Sequence, residues 1–134
     1  MVYQETIKTT SAQQMINITE YVQKAVTDSG VVDGFVIVSV PHTTAGITVN
    51  ENTDPNVGRD IIRRLEKIFP VNDPLDGHSE GNSAAHCKSS FMGVSHTYIV
   101  EDGRIVLGTW QGIFFCEFDG PRVRKLNIGV FSDR

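Results

Sequence analysis

The chain has 134 residues, 40% of them hydrophobic and 21% charged, with 16 acidic against 12 basic side chains and a net charge of −4. This composition predicts one ordinary globular domain over residues 1–134 and argues against a disordered chain. The lack of a basic run argues against nucleic-acid binding, and no apolar stretch is long enough to span a bilayer. Two cysteines without Cys-x-x-Cys spacing and a first segment without signal-peptide character predict a cytoplasmic protein with reduced thiols.

The first third of the chain predicts strands around one helix. Residues 3–9 are rich in β-branched side chains and predict a strand. Asn17 or Thr19 can begin a helix, and Asn17 with Glu20 resembles a capping box. Gly30 ends this helix. The apolar run of residues 35–40 and the shorter run of residues 47–50 predict the next two strands.

The second predicted helix has the clearest signals in the sequence. Asp54 is a typical N-cap, and Pro55 occupies the first helical position. Apolar side chains then recur at helical spacing until Pro70, namely Val57, Ile61, Leu65 and Ile68. A polar loop of residues 71–81 follows, and residues 83–92 predict a short third helix.

The remainder of the chain predicts strands. Asp102-Gly103 is a hairpin signal between residues 95–100 and 105–107. Residues 110–118 and 123–130 predict two further strands, with Trp110 as a buried aromatic that anchors the sheet. Two principal helices with these strands predict an α+β fold, in which helices cover one side of a mainly antiparallel sheet.

Polar side chains concentrate in the eleven residues from Asp76 to His86, and a metal site is one interpretation of them. Zinc and similar ions bind imidazole nitrogen and carboxylate oxygen, and catalytic sites often use three protein ligands. His42, His78 and His86 are the candidate ligands of a divalent ion, either zinc or magnesium. Glu80 or Asp76 would orient an imidazole by accepting a hydrogen bond from its other ring nitrogen, the one that does not bind the ion. His96 lies in a predicted strand away from this cluster and is excluded.

The same segment also fits a phosphate site. A helix that begins near Ser83 directs free backbone N–H groups and its dipole towards an anion. Asn82, Ser83, Lys88 and Ser89 are the candidate phosphate-binding residues. The structural alternative is a capped helix with a solvated lysine. Both the metal and the phosphate interpretations can hold, because a divalent ion often bridges a protein and a diphosphate.

A second polar concentration lies at residues 50–54. Asp54 is explained as a helix cap, whereas Glu51 and Asn52 have no such structural reason to follow a strand. A carboxylate at position 51 could bind a metal or carry a proton. A plain turn is the alternative. No nucleophile elbow, Walker loop or dinucleotide fingerprint is present in the sequence.

Four segments together resemble the YjbQ-like family, often described as secondary thiamine-phosphate synthases. They occur in the order HTTAG (42–46), NENTD (50–54), EGNSAAHCKSS (80–90) and GTWQ (108–111). The resemblance spans nearly the whole chain, from the first strand to Val130. It implies a compact α+β sandwich that assembles as a homotrimer, with sites near the subunit boundaries. It carries over a set of polar site positions, namely His42, Glu51, Asn52, His78, Asn82 and His86.

The resemblance also implies weak thiamine-phosphate synthase activity, as a side reaction of another role. This reaction joins a pyrimidine-methyl diphosphate to a thiazole phosphate and releases diphosphate. The departing anion must be stabilised by a divalent ion and by donors such as Lys88 or the backbone near Ser83. The candidate catalytic residues are His86, His78, Glu51 and Lys88. The alternatives are a non-catalytic protein that binds phosphate, a metal or a small molecule, and a purely structural assembly.

Overall fold

The computed structural model describes residues 1–134, which form eight strands and three helices. The strands are β1 (Val2–Lys8), β2 (Gln14–Asn17), β3 (Gly34–Ser39), β4 (Ala45–Glu51), β5 (Ser95–Glu101), β6 (Arg104–Ile105), β7 (Gln111–Glu117) and β8 (Val123–Ser132). The helices are α1 (Thr19–Ser29), α2 (Pro55–Ile68) and α3 (Ser83–Met92). None of the three has both the length and the apolar character that crossing a bilayer requires.

The strands form two sheets in which every neighbouring pair is antiparallel. The five-stranded sheet has the order β1-β8-β3-β5-β6, and the three-stranded sheet has the order β2-β7-β4. The predicted α+β fold with mainly antiparallel strands is therefore confirmed. Asp102 and Gly103 both have positive φ, 55° and 76°, as expected for the tight turn predicted between β5 and β6.

The core lies between the two sheets, and α1 packs against it. It includes Val36 and Leu126 of the five-stranded sheet, Ile47 and Phe115 of the three-stranded sheet, and Val22 of α1, all with 0% exposure. Removing a large side chain from such a core typically costs about 2–5 kcal/mol of unfolding free energy.

Strand β7 has apolar contacts on both of its faces, because α2 and α3 cover the outer side of the three-stranded sheet. Ile113 belongs to the core between the sheets, whereas Phe114 and Cys116 pack with Leu65 of α2 and Ala85 of α3. Successive side chains of a strand point to opposite faces, so a strand covered on both sides is apolar throughout. This explains the unbroken apolar run that begins at residue 113.

The two principal helices begin differently. Asp54 accepts the backbone N–H of Asn56 at 2.9 Å with Pro55 as the first helical residue, so the predicted start of α2 is confirmed. The predicted capping box of α1 is wrong. Ile18 holds the N-cap position, and Oδ1 of Asn17 instead accepts the backbone N–H of Thr19 at 3.0 Å.

Two further sequence predictions need correction. Strand β2 is not among the predicted elements. Its four residues are too few to show the alternation that predicts a strand. The prediction of a buried Trp110 is wrong, since its side chain is 60% exposed. Trp110 lies in a turn before β7, where Oε1 of Gln111 accepts the backbone N–H of Gly108 at 2.7 Å.

Candidate functional site

Several connecting segments meet at one end of the sandwich and enclose a polar cavity of about 450 Å³. Residues 40–44 link β3 to β4, residues 118–122 link β7 to β8, and residues 78–82 lead into α3. They meet because the antiparallel register places Ala45 of β4 beside Glu117 of β7. The lining includes five residues singled out from the sequence, namely His42, His78, Glu80, Asn82 and His86.

Arg124 lines the floor of this cavity and forms a buried ion pair with Glu117 behind it. Their side chains are 6% and 0% exposed, and Oε1 of Glu117 accepts Nε of Arg124 at 2.8 Å. Nη2 of Arg124 donates to Oε2 of Glu117 and also to Oγ1 of Thr44 at 2.9 Å. Nη1 donates no hydrogen bond within the protein, so this side of the guanidinium is available to a ligand.

Glu117 is ionised because its partners outweigh its burial. Burial alone would raise the pKa of this carboxyl, since low dielectric disfavours the charged form. The hydrogen bonds from Arg124, from the backbone N–H of Asp119 and from the hydroxyl of Thr9 together lower the pKa below its ordinary value. The carboxylate therefore holds Arg124 in one orientation at neutral pH.

Asp119 organises the neighbouring wall. Its Oδ2 accepts Nδ2 of Asn82 at 2.9 Å and Nη2 of Arg122 at 2.9 Å. Nε of Arg122 also donates to the backbone carbonyl of Asp119 at 2.7 Å. Asp119 thus fixes the residue that precedes α3 relative to the β7–β8 turn. Oδ1 of Asn82 is buried and has no partner within the protein.

His42 is held through its Nε2 atom, which accepts the backbone N–H of Lys125 at 2.8 Å. Its Nδ1 atom makes no hydrogen bond within the protein, and the side chain lines the cavity. Burial, assisted by the positive charge of Arg124, lowers the pKa of His42 below its ordinary value. The imidazole is therefore neutral at pH 7.

The imidazole rings of His78 and His86 lie next to each other near the N-terminus of α3. Their ring centroids are 5.2 Å apart and the ring planes meet at 85°. His78 belongs to the exposed loop, whereas His86 is a half-buried residue in the second turn of α3. No group of three or more His, Cys, Asp or Glu side chains is arranged in a way that could hold a metal ion.

The formal charges around the cavity nearly balance. Arg124 is paired with Glu117, Arg122 is paired with Asp119, and Glu80 adds one further carboxylate. An anion here would have to be held by directed hydrogen bonds, since the two ion pairs and Glu80 leave no net positive charge. The arrangement offers N–H donors and imidazoles for proton transfer in one place.

Four predicted site residues lie elsewhere. Lys88 is 1% exposed, and its Nζ donates to Oε1 of Glu66 at 2.7 Å and to Oε1 of Gln13 at 3.1 Å. The hydroxyl of Ser89 donates to the carbonyl of Ala45 at 2.6 Å. Neither residue lines the cavity.

Glu51 is the third and Asn52 the fourth. Glu51 lies at the far end of β4, roughly 20 Å from Thr44 at the usual rise of about 3.3 Å per strand residue. Glu51 and Asn52 line a different cavity, beside Asp54 and α2. The structure therefore separates the polar segment at residues 50–54 from the histidines within one protomer. Ser83 is the first residue of α3, adjacent to the cavity residue Asn82.

Sequence reasoning missed Glu117, Asp119, Arg122 and Arg124. For two of them, Arg124 and Glu117, the alternation of buried and exposed positions along the strands contains a signal. Arg124 has the same parity along β8 as the buried residues Leu126 and Ile128, and Glu117 interrupts the apolar run of β7. Two opposite charges at inward positions of predicted strands indicate a buried ion pair. Their placement beside the histidines depends on the tertiary fold.

The fold and the cavity define a class, a small α+β sandwich domain with one histidine-rich polar cavity between its loops. The chain belongs to the YjbQ-like family, because a family model described as UPF0047 protein YjbQ-like matches residues 3–133. The family expected from the sequence is confirmed.

Individual relatives match along nearly their whole length. UPF0047 protein YugU of Bacillus subtilis is 54% identical over 126 residues, 94% of this chain and 96% of the relative. UPF0047 protein MJ1081 of Methanocaldococcus jannaschii is 49% identical over 134 residues, 100% of this chain and 96% of the relative. The crystal structure of a YjbQ/UPF0047 family protein from Clostridium acetobutylicum has a TM-score of 0.94 at 53% identity, covering 96% of this chain and 99% of that one.

Proposed function

We propose that the cavity binds a phosphorylated small molecule, with Arg124 and the histidines as its main contacts. The observation that carries this proposal is the unpartnered Nη1 of Arg124, held on the cavity floor by the buried carboxylate of Glu117. A guanidinium fixed in this way loses little conformational entropy when it binds a phosphate oxygen.

The beginning of α3 supplies further donors. The backbone N–H groups of Ser83 and Ala84 donate no hydrogen bond within the protein, and Asn82 and His86 on either side of them line the cavity. Free N–H groups at a helix N-terminus favour anions. Together with Arg124, they give a phosphate group donors from two directions.

The reaction that this site would support is a weak thiamine-phosphate synthase reaction. The bond between the pyrimidine-methyl carbon and the diphosphate oxygen breaks, and its electron pair leaves with diphosphate. The thiazole nitrogen then donates its lone pair to that carbon and forms the new C–N bond. Arg124 and the donors of α3 would stabilise the departing diphosphate, and His86 or His78 would supply a proton to it. Binding without turnover is the alternative.

A divalent ion bound by His78 and His86 is a second candidate. Two imidazoles on one tetrahedral zinc, with Zn–N bonds of about 2.0–2.1 Å, have ring centroids roughly 5 Å apart. The observed separation of 5.2 Å fits that arrangement. Glu80 lines the same cavity, although no third ligand is assembled with the pair. The positive charge of such an ion would stabilise a diphosphate leaving group.

We further propose that the chain assembles as a homotrimer through the outer face of the five-stranded sheet. Phe35 and Phe131 stack there with ring centroids 5.3 Å apart, and they are 38% and 40% exposed. Ile99, the cross-strand neighbour of Phe35, is 59% exposed. Adjacent exposed apolar side chains of this kind are typical of subunit interfaces. Light scattering should give a trimer mass that Ile99→Asp lowers. Leu75→Asp should leave this mass unchanged, because Leu75 is an exposed residue of the loop between α2 and α3.

The binding proposal is tested by calorimetric titration with inorganic phosphate and diphosphate, with and without Mg²⁺ or Zn²⁺. His86→Gln should weaken diphosphate binding at least about tenfold, the loss of one good hydrogen bond. His96→Gln is the matched control, because His96 lies on β5 outside the cavity. Wild-type protein that binds neither anion under any of these conditions would refute the proposal.

Turnover is tested separately. The wild-type protein is incubated with the pyrimidine-methyl diphosphate and the thiazole phosphate, and thiamine phosphate is measured by mass spectrometry. We expect slow formation of product that His86→Gln reduces and His96→Gln does not. Tight diphosphate binding without product would favour the non-catalytic alternative.

A further inference from the structure

The hydrogen bond between His42 and Lys125 determines which ring nitrogen of His42 faces a ligand. The β3–β8 ladder ends at the pair Ser39 and Asn127, two residues beyond Lys125 on β8. The imidazole of His42 accepts the backbone N–H of Lys125 at 2.8 Å where the strand partner is missing. A backbone donor therefore fixes the orientation of the ring.

The identity of the donor fixes the tautomer as well. A neutral imidazole has one nitrogen with a lone pair and one with a proton. Nε2 of His42 uses its lone pair for Lys125, so the proton lies on Nδ1, and Nδ1 has no partner within the protein. Burial and the nearby Arg124 lower the pKa of His42 and favour this neutral form.

We propose that His42 is a fixed hydrogen-bond donor, which offers Nδ1–H to a phosphoryl oxygen of the bound molecule and does not ligate a metal ion. This inference rests on the proposed phosphate site and names the role of one residue within it. The three histidines of the cavity then have two roles. His42 donates a hydrogen bond, whereas His78 and His86 form the pair that could bind a metal ion.

The contact with Lys125 is the reverse of what a metal ligand needs. A histidine that binds a metal through one nitrogen normally donates its other N–H to a carbonyl or carboxylate. If Nδ1 of His42 bound an ion, Nε2 would carry the proton and would face the N–H of Lys125. Two donors would then oppose each other, and a backbone N–H would lose its acceptor.

Two substitutions separate the two nitrogens. His42→Asn retains an amide donor near the position of Nδ1 but loses the acceptor for Lys125. His42→Gln retains an acceptor near the position of Nε2 but loses the donor. We expect His42→Gln to weaken the binding of inorganic phosphate about tenfold and His42→Asn to weaken it less than about threefold. Thermal unfolding of both variants shows whether the fold is retained.

Two measurements do not depend on phosphate. A long-range ¹H–¹⁵N spectrum of the wild-type protein should show a protonated Nδ1 and an unprotonated Nε2 for His42. Titration with Co²⁺ alone should show the same affinity for His42→Gln as for the wild type, whereas His86→Gln weakens it. A protonated Nε2, or a loss of Co²⁺ affinity in His42→Gln as large as that in His86→Gln, would overturn the inference.

The outcomes also separate this inference from the proposed function. If the wild-type protein binds neither phosphate nor diphosphate, the proposed function fails and the donor role fails with it. If the wild type binds phosphate and His42→Gln binds it equally well, the proposed function stands and the role of His42 is refuted.

Discussion

The carboxylate of Glu117 accepts the backbone N–H of Asp119 at 3.0 Å while it holds the guanidinium of Arg124. One buried acid therefore positions both an arginine on the cavity floor and the turn that carries Arg122. A third donor, the hydroxyl of Thr9, reaches the same carboxylate at 2.7 Å from the end of β1. The geometry of the cavity thus depends on the stability of a buried ionic network.

Replacement of Glu117 should be strongly destabilising. Glu117→Ala leaves the guanidinium of Arg124 buried without its anion, and such a loss typically costs about 3–5 kcal/mol. Guanidinium chloride unfolding of the variant and the wild type measures this difference. Asp28→Ala is the control, because the Lys24–Asp28 pair is exposed on α1 and solvent screening leaves such a pair with little effect on stability. Equal destabilisation by both substitutions would contradict the assignment.

The same network predicts a loss of stability in acid. The pKa of Glu117 is lower in the folded protein than in the unfolded chain. Between these two values the unfolded chain binds more protons, so the free energy of unfolding decreases as the pH decreases. The contribution of Glu117 is complete above the unfolded value of about 4.3 and is lost as the pH falls through the folded value. Urea unfolding from pH 6 to pH 3 measures the slope, which Glu117→Gln should reduce.

Lys88 should have no part in phosphate binding. Its ammonium group is buried against Glu66 and Gln13, so removing it leaves the cavity intact. Lys88→Met retains the length of the buried stem, and we expect the affinity for inorganic phosphate to change less than about twofold, which corresponds to under 0.5 kcal/mol. Calorimetric titration checks this, with Lys67→Met on the exposed side of α2 as the control. If Lys88→Met bound inorganic phosphate tenfold more weakly than the wild type, the role predicted for Lys88 from the sequence would be supported.

Local sequence patterns were sufficient for most of the fold and for only part of the site. The start of α2 and the turn at Asp102 depend on neighbouring residues, and both were predicted correctly. Trp110 was misplaced because its exposure depends on the turn that the side chain of Gln111 stabilises. The burial of the Lys88 side chain likewise depends on its contact with Glu66, which is 22 residues away in the sequence.

The site shows the same division between local and long-range information. His78 and His86 belong to one short segment, and the structure places their rings 5.2 Å apart. Arg124 and Lys125 reach His42 and Thr44 only through the pairing of distant strands. Pattern reasoning has no access to such contacts, because the partners lie 80 and 83 residues apart in the sequence.

Gly34 should tolerate no side chain. A Cβ atom added there would lie 1.9 Å from the backbone carbonyl oxygen of Phe131, and this contact cannot be relieved by a rotamer change. We expect Gly34→Ala to lower the free energy of unfolding by about 3 kcal/mol, the upper part of the range for overpacking. Gly30→Ala is the matched control. It meets no atom within 4 Å, but its φ of +73° should cost about 1 kcal/mol. A smaller loss for Gly34→Ala than for Gly30→Ala in urea unfolding would contradict this account.

The two thiols should differ sharply in reactivity. Cys87 is exposed on α3, whereas Cys116 is buried in β7. Burial raises the pKa of the Cys116 thiol to about 12, so almost none of it is thiolate at neutral pH. Because only the thiolate attacks disulfides, DTNB should modify one thiol per native chain at pH 8 and the second only after unfolding. Cys87→Ser should therefore show no fast reaction in the native state. A rapid reaction in that variant would contradict the burial of Cys116, because it would mean that β7 opens to solvent without global unfolding.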